Sequence, residues 1–353
     1  MIDFITSLLA IESKTYHEKN CVDTIQKWVE EECPGASILR EGNNLVISNS
    51  LEAKPHIALV GHSDTVPDFF IPRQEGENLH ASGASDMKAA VGVFLWLFKE
   101  IYNSVNYKLS VIVYDKEEQT PVTSNGLYEL IKFHETTIKS IDCAIVGEPT
   151  NNTVQIGCVG SLHYSLKVLG KSCHSARPWN GENALYNAFP IISYFSELQP
   201  QKETIFGVDF YDVFQLTESQ SEPGRTSVPG WWEANINYRF SPNKTESEAQ
   251  KILKNHVAQF TDIKTELVLK DSVFPGDVIE TDLFNSIVKL LNKPLEAKQA
   301  WTDVAQLTRL KIPAFNYGPG LQAQAHKVDE YISIPDINEY YHDLKICLEG
   351  LLK

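Results

Sequence analysis

The sequence predicts an α/β protein, with a mostly parallel sheet flanked by helices and a small α+β domain inserted into it. Segments of strand and helix character alternate over the first part of the chain, an order typical of parallel sheets. Near residue 158 the pattern changes to half-exposed strands, and the first pattern later returns. We therefore assign residues 1–157 and 273–353 to one domain and residues 158–272 to the inserted domain.

The first domain opens with a helix whose apolar residues recur at helical spacing, namely Ile2, Ile5, Leu8 and Leu9. Strands are then predicted at 44–49, 56–62, 108–115 and 142–150, with helices at 86–103 and 126–134 between them. Near the end of the chain the same pattern gives a helix at 283–292, a strand at 312–320 and a helix at 336–352. Because parallel strands are joined by helical crossovers, we expect helices on both faces of the sheet.

The inserted domain has strand patterns at 160–171, 231–240 and 264–271. A helix is predicted at 182–198 despite Pro190, and an amphipathic helix at 244–260 has Thr245 as its N-cap. Strand, helix, strands, helix and strand in this order predict a ferredoxin-like α+β domain.

The composition is that of a globular protein: 353 residues, 42% hydrophobic and 22% charged. The formal net charge of −15 argues against a nucleic-acid partner, because phosphate binding requires a basic surface. The six cysteines include no CxxC pair, so we expect reduced thiols. No signal sequence or membrane span is visible, so we expect a cytoplasmic protein without a membrane partner.

Acids and histidines follow three of the predicted strands. His62 ends the strand at 56–62 and Asp64 follows two residues later; residues two apart on an extended chain point the same way, so the carboxylate could orient the imidazole. Glu117 and Glu118 follow the next strand, and Glu148 follows a third. Ligands of such sheets bind beyond the carboxyl ends of the strands, so these side chains are candidates for one site.

Each candidate also has a structural interpretation. The segment after His62 could be a solvated loop, and Asp86, which precedes a helix, could be its N-cap. Glu117 and Glu118 could line a solvated edge, and Glu148 could be a turn residue. His326 lies in a loop rich in glycine and glutamine, where a lone histidine is more often a bystander.

Together, however, the candidates form a set that suits metal binding. A single Zn²⁺ takes three or four nitrogen or oxygen ligands, whereas five ligands with one bridging carboxylate suit two metal ions about 3.5–4 Å apart. Glu117 is then left over, and a carboxylate that binds no metal but lies beside the pair suits a general base. The five candidate ligands are His62, Asp86, Glu118, Glu148 and His326.

The segments HSDTVP, GASDMK, DKEE, GEPT and AHKVDE resemble the motif series of the di-zinc aminoacylase and carboxypeptidase family of metallohydrolases, in the same order over nearly the whole chain. The resemblance implies a zinc-peptidase-like catalytic domain with two divalent metal ions, Zn²⁺ being expected and Co²⁺ the alternative. It makes His62 and Glu148 ligands of the first metal, Glu118 and His326 ligands of the second, and Asp86 the bridge.

The same resemblance implies roles for three further features. Asp64 would orient His62, Glu117 would be the general base, and the peptide bond between Asp86 and Met87 would be cis.

The inserted domain resembles the lid of one branch of this family, the succinyl-diaminopimelate desuccinylases, in residues 157–188 above all. The resemblance implies a homodimer formed through this lid/dimerisation domain. His174 of one subunit would reach the site of the other and stabilise the oxyanion. The remaining candidates would contact a small anionic N-acyl amino-acid substrate, with arginine suited to its carboxylates: Arg239, Arg177, Ser161, Thr302 and Gly318.

The reaction expected from the resemblance is hydrolysis of N-succinyl-LL-2,6-diaminopimelate to succinate and LL-2,6-diaminopimelate. Ala81, Ser82 and Thr226 depart from the residues usual in the family, which leaves the substrate open. The alternatives are an acetylornithine or acetyl-lysine deacetylase, a dipeptidase or carboxypeptidase, and a non-catalytic binding protein on the same scaffold.

Overall fold

The computed structural model describes residues 1–66, 68–118 and 120–351. The chain divides into two compact units. The first comprises Met1–Gly157, Val278–Glu296 and Thr302–Lys353, and the second comprises Cys158–Asp277 and Ala297–Trp301. The inserted domain predicted at 158–272 falls within this second unit.

The first unit contains an eight-stranded sheet. In sheet order its strands are β1 (Ser37–Glu41), β2 (Asn44–Ser48), β6 (Lys108–Tyr114), β3 (His56–His62), β7 (Cys143–Val146), β17 (Ala314–Asn316), β8 (Val154–Ile156) and β16 (Leu295–Ala297). The central strands β6, β3, β7 and β17 pair in parallel, whereas the pairs β1–β2, β2–β6 and β17–β8 are antiparallel. The mixed α/β fold is therefore confirmed, with its parallel strands at the centre of the sheet.

A smaller antiparallel sheet of the same unit is formed by β4 (Arg73–Glu75), β5 (Asn78–His80) and β18 (Tyr331–Ser333). The helices of the unit are α1 (Ile2–Leu9), α2 (Lys19–Glu32), α3 (Lys88–Ile101), α4 (Gly126–Phe133), α5 (Glu135–Lys139), α8 (Asp282–Leu291), α9 (Val304–Arg309) and α10 (Ile334–Gly350). α3 is buried on nearly every side, as its continuous apolar sequence predicts. The end predicted for the last helix, residue 352, lies outside the described residues.

The second unit contains a five-stranded antiparallel sheet. Its elements in chain order are β9 (Gly160–Leu169), β10 (Cys173–His174), α6 (Ala184–Glu197), β11 (Gln201–Ile205), β12 (Val208–Ser221), β13 (Ser227–Val228), β14 (Trp231–Phe240), α7 (Glu246–Ala258) and β15 (Thr265–Val273). The sheet order is β11–β12–β14–β9–β15, and β10 pairs separately with β13. When β11 and the β10–β13 pair are left out, the remaining elements follow the ferredoxin-like order of strand, helix, two strands, helix and strand: β9, α6, β12, β14, α7 and β15.

The two helices of the second unit form as the sequence predicts. α6 continues through Pro190, and α7 begins with a capping box in which Thr245 and Glu248 satisfy each other's backbone amides. β14 alternates strictly, with Trp232, Ala234, Ile236 and Tyr238 in the core of the unit. The alternate residues of β14 therefore form the opposite, polar face of the sheet.

All six cysteines lie within the described residues, and none of them forms a disulfide. Within the same part of the chain, no helix has both the length and the apolar character needed to cross a membrane.

Candidate metal centre

Three adjacent parallel strands of the central sheet carry candidate ligands at or just after their carboxyl ends. His62 is the last residue of β3, Glu118 follows β6, and Glu148 follows β7. β3 lies between β6 and β7. Because parallel strands end at the same edge of a sheet, the three side chains are brought together there.

Glycines immediately before two of these ligands allow a third segment to approach. A Cβ added at Gly61, before His62, would lie 2.7 Å from Met87 Cε, and one added at Gly147, before Glu148, would also lie 2.7 Å from it. Met87 is fully buried. The missing side chains thus make room for Met87 and bring the preceding residue, Asp86, to both strand ends.

The imidazole of His62 has a defined orientation. Its Nδ1 lies 3.0 Å from the backbone carbonyl of Asp64 and 3.5 Å from Asp64 Oδ1. A carbonyl can only accept, so Nδ1 carries a proton, and Nε2 is the ring nitrogen left to face the other candidate ligands. Nε2 lies 3.2 Å from Asp86 Oδ1 and 3.9 Å from Glu148 Oε1.

Asp86 lies between the two histidines. Its Oδ1 faces His62, and its Oδ2 lies 3.6 Å from Nε2 of His326. The same nitrogen of His326 is 2.9 Å from Glu118 Oε2, and this hydrogen bond raises the pKa of His326 to about 9. Asp86 is not an N-cap, because α3 begins at Lys88 with Met87 in the cap position. The Asp86–Met87 peptide is cis, as expected.

The ligand atoms form overlapping groups in which each atom lies within 4.8 Å of the others. One group is His62, Asp86 and Glu148, and another is Asp86, Glu118 and His326. Asp86 belongs to both. All five predicted ligands therefore converge, and one carboxylate is shared between two sets of donors.

Glu117 lies beside this centre. It forms a third group with His62 and Glu118 within the same 4.8 Å. Burial raises the pKa of the Glu117 carboxyl well above its usual range, and the neighbouring carboxylates of Glu148 and Glu118 add to this effect.

Asp64 does more than the sequence predicted. Its carboxylate is fully buried and accepts hydrogen bonds from the backbone amides of Glu117 and Glu118, each at 3.0 Å, and from Thr15 Oγ1 at 3.0 Å. Burial opposes ionisation, but hydrogen bonding to His62 and to the two amides holds the pKa of Asp64 below its usual value. One carboxylate thus fixes both the His62 ring and the loop that carries the paired glutamates.

Sequence reasoning missed Glu330, although it lies in the segment AHKVDE. This residue is 2% exposed, and its carboxylate accepts backbone hydrogen bonds from Gly83, Ser85 and Asp86. Burial raises the pKa of Glu330 to about 8, and the three amides oppose this shift. Its position four residues after His326 was the only signal available in the sequence.

The predicted substrate contacts of the first unit are both buried. Thr302 is 2% exposed. The backbone amide of Gly318 donates to Thr150 Oγ1 at 3.0 Å, and its carbonyl accepts from the Thr150 hydroxyl and the Asn152 amide. A Cβ at Gly318 would lie 2.4 Å from the carbonyl oxygens of Gly147 and Glu148. Glycine at this position is therefore explained by close backbone packing beside the centre.

The predicted contacts of the second unit differ in exposure. Ser161 is buried, and its hydroxyl accepts from Asn237 Nδ2 at 3.2 Å. Arg239, on the polar face of β14, is half-buried and donates to Asn237 Oδ1 at 3.2 Å. His174 and Arg177 are exposed, and His174 Nδ1 accepts from the Ala176 amide at 3.1 Å.

The residues that depart from the family pattern have structural roles. Ala81 is buried, and its amide donates to the Glu330 carbonyl. Ser82 Oγ donates to the Asp68 carbonyl at 2.7 Å and accepts from the Phe70 amide at 3.1 Å. Thr226 accepts from the amide of Ser175, next to His174.

Residues 58–346 match the model of peptidase family M20/M25/M40. The chain belongs to this family. The resemblance to a family of metallohydrolases is thus confirmed, and this M20/M25/M40 member is a hydrolase that acts on an amide bond.

Relatives of this M20/M25/M40 member span nearly its whole length. A succinyl-diaminopimelate desuccinylase of Corynebacterium glutamicum is 29% identical over 352 residues, which cover 96% of this chain and 93% of that protein. The crystal structure of a Staphylococcus aureus tripeptidase has a TM-score of 0.76 at 16% identity and covers 99% of this chain and 97% of its own. A dinuclear metal-binding M20 peptidase of Bacillus subtilis has a TM-score of 0.70 at 14% identity, with 99% and 97% covered. The two structures establish a shared fold.

The donor set of this M20/M25/M40 member fits divalent metal ions. Nε2 of His62 faces the carboxylates of Asp86 and Glu148, and a cation shared by the three groups would replace a proton there and stabilise the arrangement. The ligand atoms are the imidazole nitrogens and carboxylate oxygens that Zn²⁺ accepts.

Proposed function

We propose that this protein is a metal-dependent amidohydrolase that cleaves N-succinyl-LL-2,6-diaminopimelate to succinate and LL-2,6-diaminopimelate. The observation that carries the proposal is the convergence of five nitrogen and oxygen ligands around Asp86, with Glu117 beside them. The desuccinylase relative, which is similar over nearly the full chain, supports the choice of this substrate. The free cysteines of the present chain favour a cytoplasmic location.

Two divalent cations complete the proposed site, Zn²⁺ first and Co²⁺ as the alternative. His62, Asp86 and Glu148 would hold one, and Asp86, Glu118 and His326 would hold the other. The dinuclear centre described for the Bacillus subtilis relative supports this number. When bound, such a pair polarises an amide carbonyl and lowers the pKa of a water molecule toward 7.

The chain's own residues supply the proton transfers. Glu117 accepts the proton of the attacking water and then delivers it to the nitrogen of the leaving amine. It is suited to this role because it lies within 4.8 Å of His62 and Glu118 and is held by Asp64 through its backbone amide. Asp64 also keeps the proton of His62 on Nδ1, away from the metal side of the ring.

Arginine side chains are proposed to select the succinyl group. Arg239 is half-buried, and Asn237 orients its guanidinium, which suits a bidentate contact to a carboxylate. Arg177 is the second candidate. Ser161, Thr302 and Gly318 would make the remaining polar contacts.

We further propose a homodimer in which the second unit acts as the lid and the dimerisation domain. The second unit exposes large apolar side chains of α6 and the turn before it, namely Trp179, Leu185, Tyr186 and Phe189, which are between 41% and 77% exposed. Apolar clusters of this kind mark protein interfaces. In the dimer, His174 of the partner subunit would stabilise the oxyanion, and closure of the lid would assemble the site.

A shared site has a distinctive complementation test. A heterodimer of one His174→Ala chain and one Glu117→Gln chain would contain one site with both residues intact, so about half of the wild-type activity per dimer is expected. If His174 served the site of its own subunit, both sites of the heterodimer would be damaged and no activity would return.

The substrate is tested with a panel of purified compounds in the presence of Zn²⁺ or Co²⁺: N-succinyl-diaminopimelate, N-acetylornithine, N-acetyl-lysine and dipeptides. We expect the succinyl compound to have the highest kcat/KM, and Arg239→Lys to reduce its advantage over the acetyl compounds by about tenfold. Preference for an acetyl compound or a dipeptide would reject the substrate assignment. Full activity after chelation would reject the metal mechanism itself.

A further inference from the structure

The carboxylate of Glu330 is engaged entirely by one backbone segment. Its Oε1 accepts from the amides of Ser85 at 2.7 Å and Asp86 at 2.9 Å, and its Oε2 accepts from Gly83 at 2.8 Å. Three of the four residues in the turn at 83–86 are thus fixed by one buried side chain. The last of them is the residue whose two oxygens face both histidines of the metal centre.

The same glutamate joins two ligand-bearing loops. It lies four residues after His326, and its backbone carbonyl accepts from the amide of Ala81 at 3.1 Å. Next to it, Ser85 Oγ donates to the carbonyl of Tyr331 at 2.7 Å and accepts from the amide of Leu321. The loop before Asp86 and the loop around His326 are therefore hydrogen-bonded into one unit, although about 240 residues separate them in the sequence.

We propose that Glu330 is a positioning residue for metal binding, which holds the Asp86 backbone so that Oδ1 stays directed at His62 and Oδ2 at His326. The proposal rests on the metal site of the proposed function. Glu330 touches neither substrate nor metal, and it acts through Asp86 and through the loop that it shares with His326.

The physical basis is that three amide donors require an acceptor on both carboxylate oxygens. In Glu330→Gln, an NH₂ group replaces one oxygen, so at least one backbone amide faces another donor and loses its partner. The segment ending at Asp86 must then shift or leave a buried amide unsatisfied. Loss of such an outer hydrogen bond weakens metal binding by about 10- to 100-fold in other metal sites.

Asp212 provides a matched control. It is a buried carboxylate of the second unit that also accepts three hydrogen bonds, from the Ser241 amide at 2.8 Å, the Ser241 hydroxyl at 2.7 Å and the Tyr238 hydroxyl at 2.5 Å. Asp212→Asn removes a carboxylate of similar burial that holds no metal ligand, and it also removes an ion pair with Lys244 Nζ at 3.2 Å. It reports the purely structural cost of such a change.

The experiment measures Zn²⁺ dissociation constants of the full-length proteins by competition with a chromophoric chelator. We expect Glu330→Gln to weaken Zn²⁺ binding by about 10- to 100-fold and Asp212→Asn to leave it unchanged. Unchanged Zn²⁺ affinity in Glu330→Gln, with two ions bound to the wild type, would overturn the positioning role alone. A wild type that binds no Zn²⁺ would overturn the proposed function together with it.

A second measurement covers the case in which Glu330→Gln is too unstable at the assay temperature. Glu330→Asp keeps the carboxyl group but shortens the side chain, and the rise in Tm on adding Zn²⁺ is compared among the variants. A rise smaller than that of the wild type in Glu330→Asp, with a full rise in Asp212→Asn, supports the proposal. Equal rises in all three proteins contradict it.

Discussion

The two ends of β3 carry the same residue in two different chemical environments. His56 begins the strand and His62 ends it, and both are buried, at 1% and 0% exposure. The ring of His56 lies between two hydroxyls, with Nδ1 2.9 Å from Ser140 Oγ and Nε2 2.8 Å from Ser110 Oγ. The ring of His62 is surrounded by carboxylates.

The comparison teaches that the neighbours, and not burial, decide what a buried histidine does. The Ser140 hydroxyl already donates to the Thr137 carbonyl, so it accepts from Nδ1 of His56 and the ring is neutral with every polar atom satisfied. Burial lowers the pKa of His56 to about 4. Burial acts in the same direction on His62, but Asp64 and Asp86 outweigh it and raise the pKa of His62 well above its usual value.

The largest contrast is expected when each histidine is replaced by glutamine. His62→Gln should bind one metal or none instead of two and lose more than about 10⁴-fold in kcat/KM, since a catalytic metal contributes several kcal/mol. His56→Gln should keep both metals. Metal analysis of the desalted proteins checks this, and two metals in His62→Gln would remove His62 from the ligand set.

A second prediction concerns Glu117, which lies close to His62 and to the metal ligands but is assigned as the general base and not as a ligand. Glu117→Gln should lower kcat by about 10²- to 10⁴-fold while both metals stay bound, since only the proton transfer is lost. Glu118→Gln is the matched control and should lose a metal. The reverse pattern would show that the two glutamates have exchanged roles.

At the His56 end of β3, lowering the pH should reduce the free energy of unfolding. The folded pKa of about 4 lies below the usual histidine value of 6.5, so the unfolded chain binds the proton more readily. The associated stability is complete above pH 6.5 and is lost as the pH falls through 4, an effect of about 3 kcal/mol. Denaturant unfolding of wild type and His56→Gln with chelator present, at pH 7 and pH 4, measures it. Equal acid losses in the two proteins would contradict the assignment.

The smallest effect is expected from a single hydroxyl. Ser110→Ala removes the donor to Nε2 of His56 and should lower the free energy of unfolding by about 1–2 kcal/mol, because a buried ring nitrogen loses its partner. Metal content and kcat should not change. Ser7→Ala, at an exposed helix position, is the control and should change stability by less than about 0.5 kcal/mol.

The sequence was most informative where apolar strands end in acids. β3, β6 and β7 could be recognised as apolar runs, and the residues after them converge as expected. The assignment of His326, in contrast, depended on the other members of the ligand set and on family resemblance, because a loop histidine has no local signal. The hydrogen bonds of Asp64 to the Glu117 and Glu118 amides could not be predicted, since they depend on how two loops meet.

Of the elements that were not predicted, two were missed for different reasons. β12 was not predicted because Asp212 interrupts the apolar face of Val208, Phe210 and Phe214, and only the fold reveals that Tyr238 and Ser241 satisfy its carboxylate. α2 was missed although its signal is present. Its buried residues Cys21, Ile25 and Val29 recur every four positions.

The close packing of Met87 against Gly61 and Gly147 predicts which substitutions the protein tolerates. Gly61 and Gly147 provide no ligand atom, yet a Cβ at either position would lie 2.7 Å from Met87 Cε and no more than 2.9 Å from a side chain of α3, namely Val91 at Gly61 and Ala90 or Phe94 at Gly147. A larger residue there must displace the buried Met87 side chain or α3 itself. In a saturation-mutagenesis screen scored by growth or turnover, both codons should therefore tolerate as little variation as those of the ligands. The intolerant positions would thus include these two glycines, which pack against Met87, in addition to the metal ligands.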